Sequence, residues 1–288
     1  NIPLISSNII LKTSKLKIKN KFQRIRYQRI FLQKTKDRLS LFERKNNLIP
    51  NVDGKIIFGI PTVYRRKLFD MNLGISKQGE YIQGEMIKLL QSKYDVIGMD
   101  IDYTFRGNPH ILDQRLNDDI PWFPIESIVK KYSFENHSLK FLKKFDVILE
   151  SDIFKSLFSF QGINFWEQIK FDFNKLSYDP FIPHYIELIE SFMKYFAENK
   201  PRAIFLPYET GPYALALIIA ATANHIKTIG IQHGLIWKNN SDYSHTKFKT
   251  PENLFGMPLP DMTLIFGKFT KEILMESKYP ENKFLVFG

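Results

Sequence analysis

The stretch that most constrains this chain is KTIGIQHG at positions 227–234. An apolar run containing Ile229 and Ile231 stops abruptly at Gln232-His233-Gly234. This is the pattern of a buried parallel strand whose last residues leave the sheet, and ligands of open α/β sheets collect at such carboxyl ends. Upstream, RAIFLPYE at 202–209 reads as a second strand of the same kind, Thr210-Gly211-Pro212 as a polar loop, and residues 213–225 as a buried helix. Strand, loop, helix and strand in this order form a parallel unit. The two strand ends, Tyr208-Glu209 and Gln232-His233, are therefore predicted to lie close together.

The remainder repeats the alternation less regularly. Residues 55–60 read as a first buried strand, 79–93 as a helix with Tyr81, Ile82, Met86, Ile87 and Leu90 on one side, and 95–101 as the next strand. Between 102 and 201 the periodicity is mostly helical, at 122–132, 138–145, 164–173 and 182–198, with Pro121, Pro124, Pro180 and Pro183 near helix starts. Residues 146–150 read as a short strand. After His233 come a long polar loop at 237–260, a strand at 261–266, a helix at 269–277 and a strand at 283–288. The predicted class is α/β: a Rossmann-like parallel sheet with helices on both faces and a helical insertion over residues 51–288, preceded by a basic helical arm over residues 1–50.

Charge singles out that arm. The chain has a net charge of +11, yet residues 1–50 hold 13 Lys and Arg against Asp37 and Glu43, leaving 28 basic and 28 acidic residues in a neutral body. Over residues 12–44, Ile18, Ile25, Leu32 and Leu39 recur seven apart with Phe22 and Phe42 beside them, an apolar stripe on a basic helix. A helix docked on its own domain or on a second subunit, a helix lying on an anionic membrane surface and a nucleic-acid contact all share this pattern. Aromatic and basic residues interleave only on this helix and not on a stacking sheet, so no specific nucleic-acid binding is expected. With no Cys there are no disulfides, thiolate ligands or thiol nucleophiles. No apolar run is long enough to span a membrane, and residues 1–10 are too short and polar for a signal peptide. The expected location is cytoplasmic, with peripheral attachment to the inner membrane face through the arm.

His233 is the leading chemical candidate: its imidazole titrates near neutral pH and at a strand end can take a proton from an attacking hydroxyl, although it can equally serve as a loop hydrogen-bonder. Gln232 offers a donor and an acceptor, and Gly234 permits close backbone approach. Glu209 is expected to orient His233, to stabilise its protonated form, to hold a sugar hydroxyl, or to cap the next helix, a role Thr210 also fits; Tyr208 and Gly211 complete that loop. Tyr64 and Arg65 open a basic loop that suits phosphate or carboxylate. Asp100, Asp102, Arg106 and Arg115 follow the second strand and are expected to be solvated loop charges, with contact to an acceptor as the second reading. His110, His137, His184 and His225 are scattered and His245 lies in the long loop, so no metal site is expected. No P-loop, nucleophile elbow or dinucleotide fingerprint is found, which argues against NTPase, hydrolase and dehydrogenase readings.

The run IGIQHG, the polar loop, PDMTLIFG ending at Gly267, YPENK from Tyr279 and FLVFG ending at Gly288 together resemble the middle of GT-B glycosyltransferases. More narrowly they resemble enzymes of surface and capsular polysaccharide synthesis, and distantly the CDP-glycerol glycerophosphotransferases. The likeness is closest over 202–288 and looser over 55–119, where the helix begun by Tyr81-Ile-Gln-Gly-Glu85, and beyond it PWFPIE ending at Glu126, are similar. It implies the acceptor-side half of a two-domain enzyme, a nucleotide-sugar as donor substrate with no further cofactor, and a glycan or lipid-linked glycan as acceptor. It also implies the role of general base for His233, whereas Glu209 matches no family position. A nucleotide-sugar 2-epimerase-like isomerase, a non-catalytic scaffold domain and a homo-oligomer are the alternatives left open.

Overall fold

A computed structural model describes residues 49–61, 65–71, 74–101, 115, 118, 120–132, 137–178, 181–238, 240, 242–243 and 258–287. The predicted basic helix at 12–44 lies outside the described residues.

The elements, in chain order, begin with β1 (Ile56–Ile60), the hairpin β2 (Arg65–Asp70) and β3 (Ile75–Glu80), α1 (Gly84–Gln91), β4 (Val96–Asp100), β5 (Trp122–Pro124) and α2 (Ile125–Tyr132). A mainly helical insertion follows: α3 (His137–Glu150), α4 (Asp152–Ser156), the short hairpin β6 (Ser159–Phe160) and β7 (Ile163–Asn164), α5 (Trp166–Tyr178) and the start of α6 (Phe181–Glu198). The chain then returns through β8 (Ala203–Pro207), α7 (Pro212–Ala223), β9 (Lys227–Ile231), β10 (Met262–Ile265), α8 (Gly267–Glu276) and β11 (Phe284–Val286). Among the described residues the insertion up to Leu188 forms one compact unit, and the sheet with its helices forms another.

The sheet is α/β and Rossmann-like: seven parallel strands in the order β11-β10-β9-β8-β1-β4-β5, flanked by helices. β1, β4 and β8 are buried along their whole length, as strands covered on both faces must be. Phe58 of β1 and Phe205 of β8 stack across this centre at 5.0 Å between ring centroids. α7 explains why β8 and β9 are neighbours. It is almost wholly apolar and rich in alanine, with Ala214, Ala216, Ala220 and Ala221 buried, so its backbone can pack closely. The order of strands also reverses at one place. From β1 the chain builds outward through β4 and β5, then returns to the other side of β1 with β8 and builds away through β9, β10 and β11. The crevice at such a switch point is where open α/β sheets bind ligands.

Four local expectations are corrected. Residues 65–80 form a hairpin where the first strand was expected to lead through a loop into a helix from 79, so α1 starts at Gly84. Trp122–Pro124 form the edge strand β5, and the helix expected from 122 starts at Ile125. Residues 146–150 end helix α3 and do not form a strand; a run such as Val147-Ile148-Leu149 fits either state over so few residues. Arg115 and Asp100 are not solvated, since neither is exposed at all. Arg115 is ion-paired with Glu80 and lies 3.6 Å from Asp118, donates to the Pro61 carbonyl, and holds its guanidinium 3.9 Å above the Trp122 ring.

Candidate functional site at the ends of β8 and β9

β8 does not simply run on into α7. Tyr208 adopts φ 62°, the left-handed region that a residue with a bulky side chain seldom occupies. The turn closes when the Gly211 N–H donates to the Tyr208 carbonyl at 3.0 Å. A Cβ at Gly211 would lie 2.8 Å from the Tyr208 ring, so only glycine allows the ring to fold over the turn. Gly211 is the residue before the helix and Pro212 its first residue, with no side-chain capping bond. Neither Glu209 nor Thr210 therefore caps α7.

The turn sends Glu209 sideways over β9. Its Cγ and Cδ lie 3.0 and 3.1 Å from where a Cβ would stand on Gly230, and Thr263 of β10, the register partner of Gly230, lies 3.0 Å from the same point. A side chain on β9 at this position would displace the carboxyl. Glu209 is 2% exposed. Its Oε1 accepts a hydrogen bond from the Tyr243 hydroxyl at 2.9 Å, and its Oε2 is buried with no partner. Burial drives its pKa up to about 7, helped by the nearby charge of Asp242, while its own backbone N–H and the Tyr243 hydroxyl pull the other way. Burial first, then the Glu209 charge, raises the Tyr243 phenol as well, so it remains a hydrogen-bond donor. Beneath this pair the Thr263 and Tyr279 hydroxyls lie 3.2 Å apart.

His233 follows β9 and is half-buried. The Tyr208 ring meets the imidazole edge-on at 4.5 Å between centroids. Its Nδ1 is buried without a hydrogen-bond partner. Burial lowers its pKa, opposed by Asp242, so at neutral pH the ring is the neutral base. The carboxyl of Glu209 is bonded to Tyr243 and not to the imidazole.

The other expected site residues differ in their surroundings. Gln232 is 2% exposed and holds the protein to itself: its Oε1 accepts from the Phe266 N–H at 2.6 Å, and its Nε2 donates to the Gly234 carbonyl at 2.7 Å. Thr210 sits in the turn, and its Oγ1 is also buried without a partner. Gly234 is exposed, with open space where a Cβ would stand. Tyr64, Asp102, Arg106 and His245 lie outside the described residues, and Arg65 opens β2 opposite Glu80. Sequence reasoning missed Tyr243, Thr263 and Tyr279. Thr263 carried a faint signal, as a polar residue inside the apolar strand MTLI. Among the described residues no group of three or more His, Asp or Glu is placed to hold a metal ion.

What the arrangement can do chemically follows from its unpartnered atoms. A buried carboxyl oxygen and a buried hydroxyl after β8, and a buried imidazole nitrogen after β9, have no protein partner among the described residues, and the two strands are neighbours next to the switch point. Buried polar groups are nearly always bonded, and those that are not often mark a ligand or water position. Comparisons of the chain with protein-family models, with curated proteins and with solved structures found no match.

Proposed function

We propose that this chain forms the acceptor side of a glycosyl-transfer site, in which His233 is the general base. The supporting observation is the neutral, half-buried imidazole that follows β9, on the strand next to the one whose end carries a buried carboxyl oxygen with no protein partner. In this reading an acceptor hydroxyl gives its proton to His233 while its oxygen attacks the anomeric carbon of a nucleotide-sugar. The bond from that carbon to the donor phosphate breaks, and its electron pair leaves with the nucleotide. Glu209, whose pKa burial raises to about 7, can donate to or accept from a second acceptor hydroxyl, and Thr210 can do the same. Gln232 positions the loop and does not bind substrate. The acceptor is a surface glycan, free or lipid-linked, and the basic arm holds the protein at an anionic membrane face.

The test is transfer from a panel of nucleotide-sugars to a glycan acceptor by the full-length protein. His233→Ala is expected to lower turnover about 10²–10⁴-fold with an unchanged melting transition. Unchanged turnover removes the base role. Conversion of the nucleotide-sugar without any acceptor establishes an isomerase instead.

A further inference from the structure

The insertion carries an unusual surface. Gln161 and Gly162, at φ 50° and 79°, make the tight turn between β6 and β7, the combination of a two-residue hairpin. Directly across that hairpin stand Phe160 and Ile163, 67% and 60% exposed. On α4 and its end, Ile153 and Leu157 are four residues apart and therefore on one side, 80% and 71% exposed. From Ser156 to Trp166 no residue is charged.

This exposure does not come from a loose segment. Phe154, Phe158, Trp166 and Phe173 form a ring cluster with centroids 5.1 to 5.6 Å apart. The Phe165 N–H donates to the Phe158 carbonyl at 2.9 Å, and the Asn164 amide donates to the Lys155 carbonyl at 3.1 Å. The hairpin is thus braced at its base and apolar at its tip.

We propose that this hairpin, with the apolar side of α4, inserts into the interfacial layer of an anionic lipid bilayer. Two observations favour lipid over a protein partner. An uncharged apolar tip suits acyl chains, where a charged group would cost several kcal/mol, whereas protein contacts commonly ring an apolar centre with polar groups. The chain's entire excess of positive charge, +11, also lies in residues 1–50, which complements anionic headgroups. One apolar wedge or one basic segment gives only weak, reversible attachment, and stable attachment takes both. Among the described residues no helix is long and apolar enough to cross a membrane. The inference stands whichever reaction the strand-end site performs.

The full chain should be tested by co-sedimentation with phosphatidylcholine vesicles containing phosphatidylglycerol. The double variant Phe160→Ser/Ile163→Ser is expected to bind at least about tenfold more weakly than wild type with an unchanged melting transition. Phe160→Trp should keep binding, and its added fluorescence should be quenched by lipids brominated in the acyl chains. Wild-type-like binding by the double variant, an unquenched indole, or no vesicle binding by wild type overturns the proposal. So does self-association of the wild type that the double variant abolishes while vesicle binding is untouched.

Discussion

At the end of β8 the chain hides polar atoms that bond to nothing, whereas on the insertion hairpin it shows water the kind of side chain it elsewhere buries. Glu209 is 2% exposed with an unpartnered oxygen, and Phe160 is 67% exposed with an apolar ring. Both arrangements cost folding free energy, the first by desolvation and the second by apolar hydration. Neither comes from slack packing nearby: Glu209 sits tightly over Gly230, and the hairpin rests on a ring cluster. The difference lies in the chemistry each region lacks. Among the described residues the strand-end atoms have no protein partner, and the hairpin tip has no apolar cover.

The comparison is sharpest between a half-buried neutral base and a buried ion pair, both within the sheet unit. His233→Ala should lose transfer about 10²–10⁴-fold and almost no stability, whereas Arg115→Ala should cost about 3–5 kcal/mol in denaturant unfolding, because Glu80 is left as a buried charge without its guanidinium. A mild effect at Arg115 would break the distinction.

Next in size is a pH effect. Glu209 is raised from 4.5 to about 7 in the folded chain, so the folded state holds the proton more tightly. Its contribution to stability is full below 4.5 and is lost as pH rises through about 7, a change of about 3 kcal/mol. Glu209→Gln cannot ionise and should flatten that part of the stability profile. His233 acts in the opposite sense, since its lowered pKa makes its contribution fade as pH drops below 6.5. Gly230→Ala comes next, at about 1–3 kcal/mol, because its methyl meets the Glu209 and Thr263 side chains. The smallest effect is that of Phe160→Ser on folding, within about 0.5 kcal/mol by melting, because the ring is mostly exposed. A large loss there would mean the ring packs against the protein after all.

The strands of the sheet were legible where burial on both faces left an unbroken apolar run, as in β1, β8 and β9. The hairpins were not. β2 and β3 bury neither face consistently, with Phe69 65% and Ile75 52% exposed, so no alternation marks them. β5 is three residues long and ends in proline, which reads equally well as the start of a helix. At the site, local pattern placed His233 and Glu209 on neighbouring strand ends. It could not reveal that Tyr243 claims Glu209, since that contact joins residues 34 apart across a loop. Nor did it reveal that Asp100 and Arg115 are buried, since charge in a linear sequence reads as solvated until a partner such as Glu80 is brought to it.

Gln232 has a consequence for the geometry of the strand ends. The last main-chain rung there runs from its own N–H to the Leu264 carbonyl at 2.9 Å. Its side chain then accepts from Phe266 and donates to Gly234, as one more peptide group would. An amide side chain has become a stand-in for backbone, extending the ladder one step after the main chain has turned away. The gap between β9 and the loop after β10 is then set by a fixed molecular length. Glutamate could accept but not donate, and asparagine is one methylene too short, so each would drop a rung and let the imidazole drift from its place beside Tyr208.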